Sequence, residues 1–471
     1  MSALQRLMIA AAALLLSGCA TFSEDGGTSK VSEALSARGL TQQAPWIKSE
    51  TDADRAADQV RKLLAQQPLT ADAAVQVALL NNRGLQAQYA ELGIAEADLV
   101  QAGRLRNPGF SFGRSHRGDE VEYERAFIFD LLGLLTMPVR TRIETERFQL
   151  AQNRLTAEIL QVAADTRRAW IQAVAAQQSA AYAGQVRDAA EAAAELARRM
   201  VRAGNFSALD QAREQAFYAD AATQLARSRQ AALAAREQLT RLMGLWGPDI
   251  AYRLPERLPE LPPALRDIAD IEQQAMRQRL DVQGAMQEAE NIAGTLGLTR
   301  TTGWFSVLEA KYMRNSESGE PRQTGYEIEL RLPIFDFGTA RNARAEHIYM
   351  QAANRAADLA VRARSEVREA WGAWRTAYDL ARHYREEVVP LRARIAEETL
   401  LRYNGMLMSV FELLAESRQQ VGAVIAAIEA QRDFWIADNT LQFAIHGKSP
   451  GAIAAPGGSL RATAAAAEAG H

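Results

Sequence analysis

Tyr326-Glu327-Ile328-Glu329-Leu330-Arg331-Leu332-Pro333-Ile334-Phe335-Asp336-Phe337-Gly338 changes period halfway along. From Tyr326 to Leu332 apolar and charged residues alternate, the two-residue period of a strand with one apolar and one charged face. Beyond Pro333 the alternation stops. From Ala356 apolar residues recur in steps of four and three: Ala356, Ala360, Ala363, Val367, Ala370, Trp374, and on through Ala381 and Val388 to Ile395. That 3.5-residue period predicts a helix over 338–404, supercoiled left-handedly about a mostly alanine seam. A helix of about 65 residues at 1.5 Å rise approaches 100 Å, more than a compact domain contains. Pro390 cannot supply the N–H that a helix interior requires and is expected to bend the rod. Trp371, Trp374 and Tyr378 read as packing residues against neighbouring helices.

Three further segments share the strand period. In 303–313, Trp304, Ser306, Leu308, Ala310 and Tyr312 lie on one face and Glu309 and Lys311 on the other. In 121–132, Val121, Tyr123, Phe127 and Phe129 oppose Glu122, Glu124 and Asp130, and Arg125 interrupts the apolar face. The stretch 105–115 is the poorest, with Pro108 inside it. The fourth strand is expected over 325–334. A sheet packed on a soluble core gives the same alternation. Each segment is also about ten residues, the length of a tilted transmembrane strand. Four strands cannot close a membrane barrel, and an open edge in lipid leaves backbone groups unpaired, so hairpins in a membrane would have to be pooled between chains. In that arrangement Glu327, Glu329 and Arg331 face the barrel lumen.

The chain also repeats itself. Ala78, Leu85, Gln86 and Glu91 find Ala275, Val282, Gln283 and Glu288 at one constant offset, and Gly204…Ser207-Ala208-Leu209-Asp210 resembles Gly405…Ser409-Val410-Phe411-Glu412 with one extra residue between Gly and Ser. Each half has the order helix, helix, two strands, long helix, tight turn, returning helix. The first repeat is expected over 67–253, with its long helix at about 139–203. The second is expected over 267–446. Leu254-Pro255 to Pro262-Pro263 lies in a proline-rich linker, 254–266. The segment 447–471 is a low-complexity tail expected to be disordered. The fold class is therefore mainly α with a membrane β-barrel contribution, a duplicated helix-helix-strand-strand-long helix-helix plan with four strands per chain.

Arg6 followed by the apolar run Leu7–Leu16 is too short to span a bilayer and fits a signal peptide over 1–18. Leu16-Ser17-Gly18-Cys19 resembles a bacterial lipobox, which would acylate Cys19 and leave 19–66 as a lipidated N-terminal extension. The composition closes other routes. With 54 Lys+Arg against 57 Asp+Glu there is no basic excess for nucleic acid. A single cysteine excludes an internal disulfide and a cysteine-built zinc cluster. No catalytic constellation, cofactor motif or metal site is legible, and the five histidines are scattered along the chain. An enzyme is not expected.

Four features together resemble the TolC-like outer-membrane efflux proteins, in their lipoprotein subgroup. They are Leu69-Thr70…Ala78-Leu79…Asn81-Asn82, the Leu332-to-Gly338 strand-to-helix stretch, Tyr403-Asn404-Gly405…Glu412-Leu413-Leu414, and the duplicated plan. The resemblance covers about Pro68 to His446. It implies a homotrimer with an α/β barrel of twelve strands set on a long coiled-coil tunnel, anchored in outer-membrane lipid and extending into the periplasm. It implies as partners a periplasmic adaptor protein and an inner-membrane pump. The function it implies is a passive duct of a tripartite efflux or secretion system; the rival reading is a lipid-anchored periplasmic coiled-coil scaffold. Asp210 and Glu412 fall where such proteins carry acidic rings, and Glu416 stands beside the place of a second acid. These are the periplasmic gate candidates, although acids in a first helical turn also serve the helix dipole. Gly204, Gly405, Met406 and Met408 are candidates for adaptor contact at the tip. The first-repeat counterpart of the strand-to-helix stretch, Phe129-Asp130-Leu131-Leu132-Gly133, lacks the proline.

Overall fold

The computed structural model describes residues 21–302, 307–330, 335 and 337–451. The signal segment, Cys19, Trp304, Arg331, most of Leu332–Asp336 and the tail from 452 lie outside the described residues. The elements are α1 (Thr28–Ser36), α2 (Glu50–Ala65), α3 (Ala71–Asn81), α4 (Arg83–Ala102), β1 (Gly109–Arg117), β2 (Glu120–Asp130), α5 (Leu131–Arg202), α6 (Ala208–Leu242), α7 (Ile271–Gln278), α8 (Leu280–Thr302), β3 (Leu308–Glu317), β4 (Gln323–Leu330), α9 (Thr339–His383), a π turn (Tyr384–Val388), α10 (Val389–Asn404) and α11 (Val410–His446). The chain divides into two compact units. One holds 1–34, 87–156 and 280–361, the other 35–86, 157–279 and 362–471, so each draws on both sequence repeats.

In the first of these units the four strands form one antiparallel sheet in the order β1-β2-β3-β4. The central β2–β3 pairing joins the two repeats, with Phe127 opposite Tyr312 and Asp130 opposite Glu309. β1 and β4 are left as edges. Helix α5 begins at Leu131, eight positions before the expected start after Pro138. Asp130 explains the difference, because its carboxylate accepts the Gly133 N–H at 2.6 Å and pairs with Arg106 at 3.2 Å. A capped end there fixes the helix start, and Pro138 is carried inside a helix of 72 residues. Asn291 ties α8 to α5 by donating to the Ile143 carbonyl at 2.9 Å.

In the second unit the opening motif of the first repeat acts as a staple. Thr70 caps α3 by accepting from Ala73 N–H at 3.2 Å, and Asn81 donates to the carbonyls of Met243 (3.2 Å) and Gly244 (2.6 Å) at the end of α6. The Trp170 indole donates to Leu69 O at 2.9 Å, over a core of Val77, Leu80, Val174, Leu239 and Met243. Ala78 and Ala275 are both wholly buried and both receive the N–H that closes a short helix, from Asn82 and Arg279 respectively, each at 2.9 Å. The duplication is thus the same helical joint built twice.

The alanine seam is buried from Ala363 through Val367, Ala370, Trp374 and Ala377 to Ala381. Tyr378 joins it and donates to the carbonyls of Pro262 and Pro263 at 3.0 and 3.1 Å, which fixes the proline linker. The series does not continue to Ile395 as the period suggests. The π turn before α10 inserts an extra residue, as Pro390 requires relief of a carbonyl it cannot bond. One added residue rotates the following helix by about 100°, so Leu391 is exposed and Thr399 is the buried residue of α10.

Candidate functional site

Two places carry the residues singled out above: the sheet, and the two turns that end α5 and α10.

The register sorts the sheet into two chemically distinct faces. Phe110, Phe127, Tyr312 and Tyr326 form one cross-strand row, and Phe129, Ala310 and Ile328 the next, with Leu308 opposite Leu330 beyond it. The Phe110 and Phe127 rings lie 5.1 Å apart. These aromatic residues are 46% to 84% exposed, a contiguous apolar surface that water does not favour. The opposite face carries Glu122, Glu124, Asp130, Glu309, Glu317, Glu327 and Glu329. Lys311 stands among them and bonds Glu327 at 3.4 Å and Glu329 at 3.2 Å. Glu327 and Glu329 are therefore on the charged face; Arg331 lies outside the described residues. Leu134 and Leu135, which follow β2 in the chain, and Phe335 and Phe337, which follow β4, are also exposed.

The two turns are built alike. After α5, Gly204 N–H bonds Val201 O and Asn205 N–H bonds Met200 O, both at 3.0 Å. After α10, Met406 N–H bonds Tyr403 O and Leu407 N–H bonds Arg402 O, both at 2.9 Å. Both are six-residue Schellman closures, whose first residue past the cap is left-handed. That residue is Gly204 (φ 76°) in the first and Met406 (φ 58°) in the second. Met406, not Gly405, is the counterpart of Gly204, and the turns are equal in length, with no extra residue. The identity match of the two glycines misaligned them by one pair. Gly405 sits one place earlier with φ −80°. Met406 is 94% exposed and Leu407 81%, while Met408 is half-buried. A side chain in the left-handed region costs about 1 kcal/mol relative to glycine. Met406→Gly should raise stability by about that amount in thermal unfolding of the purified chain; an unchanged or lowered midpoint contradicts strain at this turn.

The acids next to these turns serve helix caps. Ser207 Oγ accepts Asp210 N–H at 3.1 Å, and Asp210 pairs with Arg213 at 3.3 Å. Ser409 and Glu412 form a full capping box, with Ser409 N–H donating to the Glu412 carboxylate at 3.0 Å and Glu412 N–H to Ser409 Oγ at 3.4 Å. The Ser409 N–H and the Ser409 hydroxyl, which also donates to that carboxylate at 3.0 Å, hold the Glu412 carboxyl below its ordinary range, the backbone donor first. Glu416 pairs with Arg392 at 3.5 Å. One further acid was not legible: Glu214, 3% exposed, receives Arg418 at 3.0 Å and bridges α6 to α11, while Arg418 lies 4.3 Å over the Phe217 ring. Burial, not sequence spacing, distinguishes it. Among the described residues no three His, Cys, Asp or Glu converge as a metal site, and no helix is long and apolar enough to cross a membrane.

No protein-family model matches the sequence, and no curated protein matches it. Solved structures do. A membrane protein from Pseudomonas aeruginosa aligns with 20% identity over 82% of this chain and 93% of its own, at a TM-score of 0.68. The CmeC outer-membrane channel of Campylobacter jejuni aligns with 17% identity over 87% and 91%, at 0.67. The outer-membrane protein VceC of Vibrio cholerae aligns with 15% identity over 80% and 96%, also at 0.67. The chain has the fold of these membrane proteins, the α/β fold that its resemblance to the TolC-like family implied.

Proposed function

We propose that this chain is one subunit of a trimeric, lipid-anchored outer-membrane channel, a passive duct of a tripartite efflux or secretion system. The observation that carries the reading is the four-stranded sheet with two unpaired edges, one aromatic face and one acidic face. Such a sheet is unstable in lipid alone and stable when three copies close it edge to edge. The aromatic face then meets hydrocarbon and the acids line water. The likeness in fold to outer-membrane channels supports the same assignment. Cys19 would hold the acyl anchor. Energy would come from an inner-membrane pump through a periplasmic adaptor, which would meet the exposed turn residues Met406 and Leu407. The test is a heat-modifiable trimer in outer-membrane fractions that conducts in planar bilayers. A monomer whose hairpins are open to protease from the periplasm refutes it.

Asp210 and Glu412, brought together in three copies, would form the acidic constriction of that duct, with Glu416 behind them. The two roles of Glu412 predict opposite titrations. Capping keeps its pKa low, so its contribution to the turn is present above the ordinary glutamate value and is lost as pH falls through the lowered one. Mutual repulsion in a ring raises it. In bilayer recordings, Asp210→Asn with Glu412→Gln should reduce the preference for cations. Selectivity equal to wild type, with conductance intact, leaves the acids as caps only.

A further inference from the structure

Arg125, which breaks the apolar alternation of β2, has company. The register places Arg125 beside Arg314 of β3, since their neighbours Ala126 and Met313 pair directly, and Arg114 of β1 pairs with Tyr123 one row away. All three side chains lie on the aromatic face, where the described strand residues include no carboxylate. Among the described residues none of them has an acidic partner within 4 Å. Instead the Arg125 guanidinium lies 5.9 Å from the Phe112 ring centre and 5.7 Å from that of Tyr123, and Arg114 lies 5.7 Å from Tyr123.

Their level on the sheet is specific. On the helix side of the arginine row the face is Phe127, Phe129, Tyr312 and Ile328; on the hairpin side polar residues enter it, Ser316 beside Tyr123 and His116 beside Val121. The arginines thus mark the upper boundary of the apolar band. Like charges directly opposite on paired strands repel, and the carboxylates of the described strand residues are all on the other face. A cationic cluster flanked by aromatic rings at the rim of a hydrocarbon-facing surface matches an anionic headgroup whose acyl chains lie along the rows below.

We infer that Arg114, Arg125 and Arg314 form a binding site for the phosphates of an outer-leaflet glycolipid, with the acyl chains resting on the Phe127 row. The inference rests on the channel reading, which sets the hairpin ends outward. Each guanidinium would donate charge-assisted hydrogen bonds to phosphate oxygens.

The test uses the full-length lipoprotein purified as a trimer, with native mass spectrometry of bound lipid. Diphosphoryl lipid A, the same glycolipid stripped of phosphate, and phosphatidylglycerol are supplied as probes. Wild type should retain the diphosphoryl form over the stripped form, and this arm needs no variant. Arg114→Gln, Arg125→Gln and Arg314→Gln should each lower retention by roughly tenfold, without loss of the heat-modifiable trimer. A trimer that holds both glycolipid forms equally, or arginine variants that hold lipid A as wild type does, overturns the site. Equal retention of phosphatidylglycerol overturns the glycolipid assignment. A wild-type chain that never forms the trimer overturns the channel reading itself, which is a separate result on the gel.

Discussion

Phe127→Arg is expected to leave the chain lipidated but unassembled, with no heat-modifiable trimer and no channel conductance. Phe127 sits mid-row between Phe110 and Tyr312, on the face without acids. In water an arginine there would be harmless, since the position is 46% exposed in the single chain. In lipid it costs about 2–4 kcal/mol near the midplane, and closure of a ring multiplies the cost by the number of copies. Glu124→Gln on the opposite face is the matched control and should assemble normally, because that face would meet water. The pair separates a membrane barrel from a soluble sheet: a Phe127→Arg chain that assembles and conducts like wild type rules out lipid on the aromatic face.

The second large effect is expected at Arg279. Its side chain is fully buried at the joint between α7 and α8, where it bonds Glu366 at 2.5 Å and the Ala363 carbonyl at 3.4 Å. Ser449 donates to the other Glu366 oxygen at 2.7 Å. Arg279→Ala removes the cation, opens a void and leaves Glu366 short of a partner. Breaking such a pair costs about 3–5 kcal/mol, towards the lower end here because Glu366 is 21% exposed. Chemical denaturation of the detergent-solubilised chain reads this as a lower midpoint. The Arg279→Met, Glu366→Met double variant should recover part of the loss, since both charges leave together. A loss below about 1 kcal/mol for Arg279→Ala means that the pair is solvated in the native protein.

Much of the site was legible residue by residue. The alternation of Tyr326 to Leu330 and of Glu122 to Phe129 put the right side chains on shared faces, because a strand's side chains reverse at every step whatever it pairs with. The steps from Ala363 to Ala381 marked the buried stripe for the same kind of reason. Misreadings arose where a residue type was taken for its usual job. The first long helix was expected from about residue 139, yet Asp130 supplies the cap and Pro138 is carried inside. Gly405 was matched to Gly204 by identity, yet the left-handed position belongs to Met406, which nothing in a local pattern marks. Glu214 and Arg279 look like ordinary surface charges in a helix-rich sequence, and only their surroundings make them buried.

By itself the sequence determined element type, the chemical sorting of each strand and helix into faces, and the twofold plan, since all of these are periodicities of contiguous residues. The tertiary structure decided that β2 of one repeat pairs with β3 of the other, and hence that Arg125 and Arg314 stand side by side. It also decided that the helix period slips at the π turn, and that Arg279 finds Glu366. These depend on which distant segments meet, and the energy of a cross-strand pair or a buried ion pair exists only after the chain has closed that distance.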